Sequence, residues 1–489
     1  MFSPPLDVLL IFTVTTPIIG WVSEKIRLKS LCGAYASFGL AFAGYMLYQL
    51  ARQVFSSFEA VSLGIAPFGS YLRIDSLSIF IASIFISLGF LAAVYSIKYM
   101  EKESGVTLYY TLLLAMISGL LGVVFAGDFF TLYVFWELMC VSSYVLVAFR
   151  KHLWEPIEAG LKYLVISAAG SATILLGLSI VYGLTGTLNF AELARVAPQM
   201  ATGWAGISLT FIVAGFGVKA AIFPFHTWLP DAHPAAPSPI SALLSGIVIK
   251  AGVYAILRSL FTVFPPTNFS WQTVLAIISI LTMSFGNLAA LLQEDIKRLL
   301  AYSSIAQIGY IFFAISAAAN PAASNIGLTA ALLHILNHAL MKGLLFLCAG
   351  AFIYMAGTRK LRELAGIGRK MPLTAIAFTI GALAISGLPS LNGFVSELMI
   401  VYAGINANMP IYTAILLANI LLGFAYYLRL IKSIVWSTSG QKPAKARDPP
   451  ALMLIPIMIL AITCIIIGLY PSPFIEIASK AAETLTAPT

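Results

Sequence analysis

Charged side chains are scarce in this sequence. Only 10% of its 489 residues are Asp, Glu, Lys or Arg, whereas 60% are apolar. A soluble globular chain carries about 25% charged residues. Apolar runs of the roughly 20 residues that cross a bilayer as a helix recur along almost the whole chain. The composition therefore leaves no length for a soluble domain and predicts an all-α protein that spans a membrane many times.

Cysteine is scarce as well. No CxxC pair and no Cys/His cluster occurs, so iron–sulfur ligation and structural zinc are not expected. No Gly-rich phosphate loop follows a strand, which also argues against a nucleotide site. We therefore expect no cofactor and no metal in this chain, and we interpret the cysteines as small buried hydrophobes. They stand singly in apolar segments, at Cys32, Cys140, Cys348 and Cys464.

The apolar runs predict about 14 transmembrane helices. The first run, in "MFSPPLDVLLIFTVTTPIIGW", lacks the basic leader and cleavage site of a secretory signal, so we expect it to be retained as a span. No long amphipathic helix is expected after the last span. The predicted spans are centred roughly on residues 6–22, 31–50, 77–97, 107–126, 129–148, 160–183, 205–225, 239–260, 271–292, 299–318, 326–356, 372–405, 410–431 and 450–470.

Basic residues are concentrated in alternate loops between these spans. The positive-inside rule places the basic loops in the cytoplasm, and an even number of spans then places both termini outside. The net charge of +9 is thus interpreted as a topology signal and not as nucleic-acid binding. The connector "SGQKPAKARDPP" is expected to be flexible and cytoplasmic. The opposite loops hold only Arg52, Arg73, Arg195 and Lys480.

Several ionisable residues fall within the predicted spans. Each costs about 2.5–3.5 kcal/mol near the bilayer centre, so we expect them to face the bundle interior, to pair there and to contact water. His334, His338 and Lys342 follow one another at intervals of four residues, which puts them on one helix face. The other members of the set are Glu137, Lys219, Lys250 and Glu397.

Simpler interpretations exist for some polar residues. For Lys219 alone, an ion pair that merely fixes helix packing is an alternative. Lys162 lies near the cytoplasmic end of its span and is equally well explained by snorkelling to the surface. Asp75 and Asp128 stand at the starts of spans, where helix caps are expected. Two histidines in a predicted loop are compatible with ordinary turn residues, namely His226 and His233.

Two predicted spans are interrupted. "FPFHTWLPDAHPAAPSP" places five prolines shortly after Lys219, and "SGLPSLNGFVSE" places Pro389 between two glycines just before Glu397. Freed backbone groups at membrane depth are tolerated only beside protein or water. Interrupted spans at corresponding places in two halves of a chain indicate a site built on an inverted repeat. We therefore predict that Lys219 and Glu397 are counterparts beside wetted breaks.

Four segments carry a resemblance to a known family. "FPFHTWLPDAHPAAPSPISALLSG", "LAYSSIAQIGY", "HILNHALMKGLLFLCAG" and "GLPSLNGFVSE" resemble signature segments of the antiporter-like subunits of respiratory complex I, of membrane-bound hydrogenases and of Mrp-type cation/proton antiporters. The resemblance covers nearly the whole chain. It implies 14 helices, with helices 1–3 in residues 1–106, two inverted five-helix repeats in 107–260 and 271–431, and a final helix and tail in 450–489.

The resemblance also implies roles for the intramembrane residues. They would form a line of hydrated charges at the membrane midplane, with Lys162 and Asp231 as accessory candidates. Glutamate at 397 resembles the M-type subunit of complex I and hydrogenase-type subunits more than an Mrp D-type subunit. The matching positions of the line are Glu137 on the fifth helix, Lys219 on the broken seventh, Lys250 on the eighth, His334, His338 and Lys342 on the eleventh, and Glu397 on the broken twelfth.

The function implied is that of a proton- or sodium-translocating subunit of a redox-driven complex in the cell membrane. We expect this chain to do no redox chemistry itself. Its expected partners are other membrane subunits, including homologous ones, and a peripheral cytoplasmic redox arm. The hypothesis treats Glu137 and Lys219 as one paired switch. The alternatives are a subunit of an Mrp-type antiporter, a stand-alone solute transporter and a structural scaffold.

Overall fold

A computed structural model describes residues 4–57, 60–63, 71–196, 199–200, 203–437 and 446–486 of the chain. Most of the basic part of the predicted cytoplasmic connector, including Lys442 and Lys445, lies outside these described residues.

The described residues form 18 helices and one short hairpin. Thirteen of these helices are long and apolar enough to cross a membrane, which confirms the predicted all-α membrane fold. The hairpin pairs β1 (Val61–Leu63) with β2 (Leu72–Ile74) in antiparallel register. The helices are α1 Pro4–Lys25, α2 Ser30–Ser57, α3 Ser76–Tyr99, α4 Val106–Phe125, α5 Phe129–Val147, α6 Trp154–Thr185, α7 Phe190–Val196, α8 Gly203–Ala220, α9 Leu229–Ala235, α10 Ser238–Val263, α11 Gln272–Leu291, α12 Ile296–Ala317, α13 Ser324–Ala356, α14 Pro372–Ile385, α15 Asn392–Asn406, α16 Pro410–Ile431, α17 Ala451–Leu469 and α18 Ser472–Thr486.

Both predicted interruptions are present. The helix α8 ends at Ala220, and the chain is non-helical until the short α9, which has Pro230 in its first turn. The predicted span 372–405 consists of two shorter helices, α14 and α15. Gly387 between them has a φ of 73°, a left-handed conformation that glycine adopts without steric cost. The prolines and this glycine therefore end the two helices within apolar segments of the chain.

Three helices occupy the centre of the bundle. The helices α10 and α12 are almost entirely buried, whereas α1 and α17 expose much of their apolar surface on the outside. The helix α13 packs against both α10 and α12 and also against α15. Lys250 on α10 and Lys342 on α13 are consequently buried inside the protein.

The last helix, α18, is 15 residues long and covers a segment for which the sequence indicated only a tail. It packs against α13 and α3, and it buries Ala478, Ala481 and Ala482 there. The chain thus folds back onto its own bundle after the last span.

The expected helix caps are confirmed. Asp75 Oδ1 accepts a hydrogen bond from the Ser78 amide at 2.9 Å, and Asp128 accepts one from the Thr131 amide at 2.7 Å. Asp75 has a second partner that the sequence did not indicate: its Oδ2 lies 2.6 Å from the guanidinium of Arg258 on α10. Both side chains of this ion pair are more than nine-tenths buried, so it ties α3 to the end of α10 in a low-dielectric setting.

We expect Asp75→Asn to destabilise the protein. Asparagine still caps a helix but leaves the Arg258 charge buried without its counter-ion, which costs about 3–5 kcal/mol. The measurement is the thermal stability and yield of the detergent-extracted chain within its complex. Asp128→Asn is the matched control, because it changes a cap of the same kind; equal stability of the two variants would contradict the role given to the ion pair.

Candidate functional site

One face of α13 carries three buried titratable side chains. His334, His338 and Lys342 are all 0% exposed, and the rings of the two histidines lie 6.4 Å apart between centroids, nearly parallel. The predicted stripe is therefore present, because residues four apart project from the same side of a helix.

Lys250 joins this stripe from α10. Its Nζ lies 2.5 Å from Nδ1 of His338, and it also donates a hydrogen bond to the carbonyl oxygen of Ser245. Ser245 belongs to a π-helical segment of α10, Leu244–Val248. Such segments widen the helical turn and occur frequently at functional sites. Here the segment supplies a backbone acceptor to a buried ammonium.

His334 connects α13 to two other helices. Its Nδ1 lies 2.9 Å from Ser396 Oγ on α15, and its Nε2 lies 2.7 Å from Gln307 Oε1 on α12. Gln307 also interacts with Glu397. Glu397 is only 4% exposed and its Oε1 has no hydrogen-bond partner among the described residues. The second broken span thus places Ser396 against His334 and brings the Glu397 carboxyl group to Gln307.

Lys342 is held by neutral oxygen acceptors. Its Nζ donates to the Leu300 carbonyl at 3.0 Å, to Tyr427 OH at 3.0 Å and to Ser303 Oγ. Ser303 and Tyr427 are in turn 2.8 Å apart. No carboxylate contributes to these contacts in the described part of the chain, so only neutral oxygen dipoles solvate the Lys342 amino group.

The polar face of α12 was missed by the sequence analysis. Ser303 and Gln307 follow each other at four residues, and Ser304 Oγ lies 2.7 Å from Ser245 Oγ of α10. Ser303 accepts a hydrogen bond from Lys342, and Gln307 contacts His334. Ser304 contacts Ser245, whose carbonyl accepts a hydrogen bond from Lys250. The signal available in the sequence was this spacing of polar residues inside "LAYSSIAQIGY".

Lys219 is buried, at 1% exposed, in the last turn of α8. Its Nζ donates a hydrogen bond of 2.8 Å to Tyr163 OH on α6. No ion pair within 4.0 Å joins Lys219 to Glu137 in the described structure, so the proposed switch is not a direct contact between these two side chains. Glu137 Oε1 is instead buried without a hydrogen-bond partner. Lys219 interacts with Cys140, which lies one helical turn beyond Glu137 on α5.

The two accessory candidates contact each other. Lys162 Nζ lies 3.3 Å from Asp231 and 2.8 Å from Glu158. The side chain of Lys162 is 49% exposed, so this cluster belongs to the lateral surface of the bundle and not to the buried row. Asp231 also lies 3.4 Å from Arg298.

Two residues that the sequence placed in loops are buried beside the row. His233 on α9 is 0% exposed, neither of its ring nitrogens has a hydrogen-bond partner among the described residues, and its ring stacks on Phe346. Lys297, expected at the cytoplasmic surface, is 3% exposed and donates to the Ala236 carbonyl at 2.6 Å. His233 and Lys297 interact electrostatically. The interruption after α8 folds inward, which the proline pattern alone did not reveal.

Comparison with known proteins agrees with this architecture. Residues 126–423 match the family described as "NADH:quinone oxidoreductase/Mrp antiporter, TM", and residues 63–110 match "NADH-Ubiquinone oxidoreductase (complex I), chain 5 N-terminus". The chain is 36% identical over 430 residues to NADH-quinone oxidoreductase subunit N of Desulforudis audaxviator, covering 84% of each chain. It is 32% identical over 469 residues to F(420)H(2) dehydrogenase subunit N of Methanosarcina mazei, covering 94% of this chain and 93% of that one.

A solved structure has the same fold. A chain of the membrane-bound sulfane sulfur reductase, an archaeal respiratory membrane complex, superposes with a TM-score of 0.90 at 31% identity, covering 99% of this chain and 97% of that chain. The fold and the buried row define a multi-pass, antiporter-like membrane protein. The chain belongs to the NADH:quinone oxidoreductase/Mrp antiporter membrane-subunit family. The M-type resemblance suggested by Glu397 stays a prediction, since the two relatives described above are N subunits.

Proposed function

We propose that this chain translocates protons along its buried row as one membrane subunit of a redox-driven complex. The observation that carries the proposal is the contact series from Lys250 through His338 and His334 to Gln307 and Glu397. This series crosses α10, α13, α12 and α15 without leaving the protein interior. Such intramembrane titratable groups mark proton relays.

Protons suit this row better than sodium. Between Lys250 and His334 the contact atoms are an ammonium and imidazole nitrogens, which bind and release protons. A hard metal cation is held mainly by oxygen ligands. Within the described residues, no group of three or more His, Cys, Asp or Glu side chains that would hold a metal ion is found.

Buried atoms without partners indicate where water would enter the path. His338 Nε2, both ring nitrogens of His233 and Glu397 Oε1 have no hydrogen-bond partner among the described residues. Buried polar groups are normally satisfied, and unpaired ones call for an ordered water or a functional role. We assign them to hydrated steps of the path, with Lys219 feeding Lys250 and Glu397 passing charge to the outer side or to a neighbouring subunit.

The complex we propose contains other membrane subunits, homologous ones among them, and a peripheral cytoplasmic redox arm. It lies in the cell membrane with both termini of this chain outside. An Mrp-type assembly without a redox arm is the second candidate, since the family includes such antiporters. Co-purification of the intact complex with identification of its subunits by mass spectrometry separates them: small membrane chains without redox subunits would contradict the redox-driven assembly.

The central histidines test the relay. We expect His338→Gln to reduce redox-driven proton uptake into sealed vesicles by about tenfold or more, while electron transfer by the complex falls less. Glutamine retains a hydrogen-bonding group for Lys250 but does not titrate. His226→Gln is the control, because His226 is also buried but contacts Phe223 and Phe285 rather than the row. Full uptake by the His338 variant would remove this residue from the path.

The orientation has its own test. A protease site inserted in "QKPAKARD", residues 441–448, is expected to be cleaved only from the cytoplasmic side, because the basic loops face the cytoplasm. Residues 441–445 of this segment lie outside the described part of the chain. Sealed vesicles of both orientations provide the measurement. Cleavage in vesicles that expose only the outer surface would reverse the proposed topology.

A further inference from the structure

The ammonium of Lys219 is surrounded by aromatic rings from three elements. Its Nζ lies 4.5 Å from the ring centroid of Tyr163 on α6, 5.0 Å from that of Tyr144 on α5 and 5.9 Å from that of Trp228. Tyr163 holds the ammonium through its hydroxyl at the edge of the ring, 2.8 Å from Nζ. The distances to the Tyr144 and Trp228 rings fall within the roughly 6 Å at which a cation is attracted to an aromatic face. Three other described lysines lie near an aromatic ring, and each of them lies near one ring. They are Lys25, Lys102 and Lys342.

The rings also hold one another in place. Tyr163 and Trp228 stack with centroids 4.0 Å apart and an interplanar angle of 5°, and Tyr144 meets Tyr163 edge to face at 4.7 Å. Ser143 Oγ donates to Tyr163 OH at 3.1 Å, so the phenol that receives the Lys219 hydrogen bond is itself fixed. Rigid aromatic pairs of this kind preorganise the site for a cation.

Trp228 connects this arrangement to the helix break. It stands in the non-helical stretch between α8 and α9, and its indole Nε1 donates a 2.8 Å hydrogen bond to the carbonyl of Val218, the residue before Lys219. That carbonyl belongs to the last turn of α8. This hydrogen bond holds the Trp228 ring beside Lys219, so a shift of the interrupted segment that breaks it would move one wall of the ring cluster away from the ammonium.

We propose that Tyr144, Tyr163 and Trp228 form an aromatic cage that stabilises the charged form of Lys219, and that Trp228 opens this cage when the interrupted segment moves. This inference rests on the proposed proton-translocating function. It assigns the stabilisation of the Lys219 charge to the rings, whereas the sequence hypothesis paired Lys219 with Glu137. It also makes Trp228 a positioning residue for proton release.

The cage predicts an effect on the pH profile of transport. The titratable groups facing Lys219 are Cys140 and Tyr144 of α5 and Tyr163 of α6; Glu137 lies one turn from Cys140, and Lys250 is on α10, which also packs against α8. Trp228→Leu and Trp228→Phe leave all of these groups in place. Because a weaker cage favours loss of the lysine's charge, the upper pH limit of redox-driven uptake is expected to move to lower pH.

The experiment measures uptake against pH in sealed vesicles containing the complete complex. We expect the pH of half-maximal uptake on the alkaline side to fall by about 0.5 to 1.5 units for Trp228→Leu and by less for Trp228→Phe, following the strength of the ring. Trp271→Leu is the matched control: Trp271 is also buried and donates to a backbone carbonyl, that of Phe264, but its ring contacts none of the lysines that the structure describes. Its pH profile is expected to stay unchanged.

A second measurement guards against misfolding of the leucine variant. Fluorinated tryptophans incorporated at position 228 keep the ring's shape and weaken its face in steps, so the upper pH limit should fall stepwise with each fluorine. A reduced rate with an unchanged pH limit, or no gradation along the series, would overturn the cage and reduce Trp228 to packing. Lys219→Met separates the two ideas, since normal uptake by that variant overturns the proposed role of the lysine itself.

Discussion

Lys219→Met is expected to abolish coupled proton uptake, with a loss of about a hundredfold or more, while the complex still assembles. Methionine has nearly the length and apolar body of lysine but no charge, so the packing around Tyr163 is retained. The measurement is proton uptake into sealed vesicles driven by the redox reaction, normalised to the amount of assembled complex. Normal uptake would make this lysine a packing residue.

Two further substitutions sharpen this result. Lys219→Arg is also expected to impair uptake, because a guanidinium stays protonated and does not release its proton. Lys480→Met is the control for loss of a positive charge as such: Lys480 pairs with Glu476 at 2.8 Å on the exposed side of α18. It is expected to pump at the unmodified rate.

The same assay decides how Glu137 acts. Because no direct ion pair joins Glu137 to Lys219 in the described structure, Glu137→Gln is expected to cause a smaller loss than Lys219→Met. A double variant that is no worse than Lys219→Met would indicate coupling of the two residues through the protein. A loss with Glu137→Gln as large as that of the lysine variant would instead restore the paired switch.

Glu397→Gln is expected to have the second largest effect, also about a hundredfold on uptake. Glutamine is nearly isosteric with glutamate and keeps hydrogen-bonding groups for Gln307, but it carries no proton that leaves at physiological pH. If Glu397 passes charge onward, protons accumulate behind it and uptake stops although His334 and its contacts are intact. Electron transfer is measured in parallel to show that the complex is still active.

Glu476→Gln is the control for this substitution, since it removes a surface carboxylate that pairs with Lys480. Uptake at the unmodified rate in Glu397→Gln would mean that the path does not end at Glu397. The pair of Asp231 with the exposed Lys162 would be the next group to test.

Local sequence signals predicted much of the fold. The proline-rich stretch after Lys219 and the glycines around Pro389 act on the backbone within a few residues, so the two breaks were evident without a structure. The stripe of His334, His338 and Lys342 depends only on helical periodicity. The division into two inverted repeats, residues 107–260 and 271–431, remains a prediction.

Contacts between distant helices were beyond such reasoning. Arg258 and Asp75 are 183 residues apart, and nothing in either segment shows that their helices meet. The same holds for Tyr163, whose hydroxyl receives the Lys219 hydrogen bond from 56 residues away. Lys297 was misplaced for a different reason: a positive charge next to a loop was assumed to be solvated, whereas its ammonium turns inward to a backbone carbonyl.

The end of α8 has an electrostatic consequence of its own. The helix stops one residue after Lys219, so the carbonyl dipoles of its last turn end within a turn of this residue and carry a partial negative charge of about half an electron there. An uninterrupted helix would spread those dipoles past the lysine and cancel this field. The break therefore supplies a counter-charge that does not titrate. Any movement that lengthens or shortens α8 by part of a turn changes the field at Lys219 while every carboxylate stays where it is.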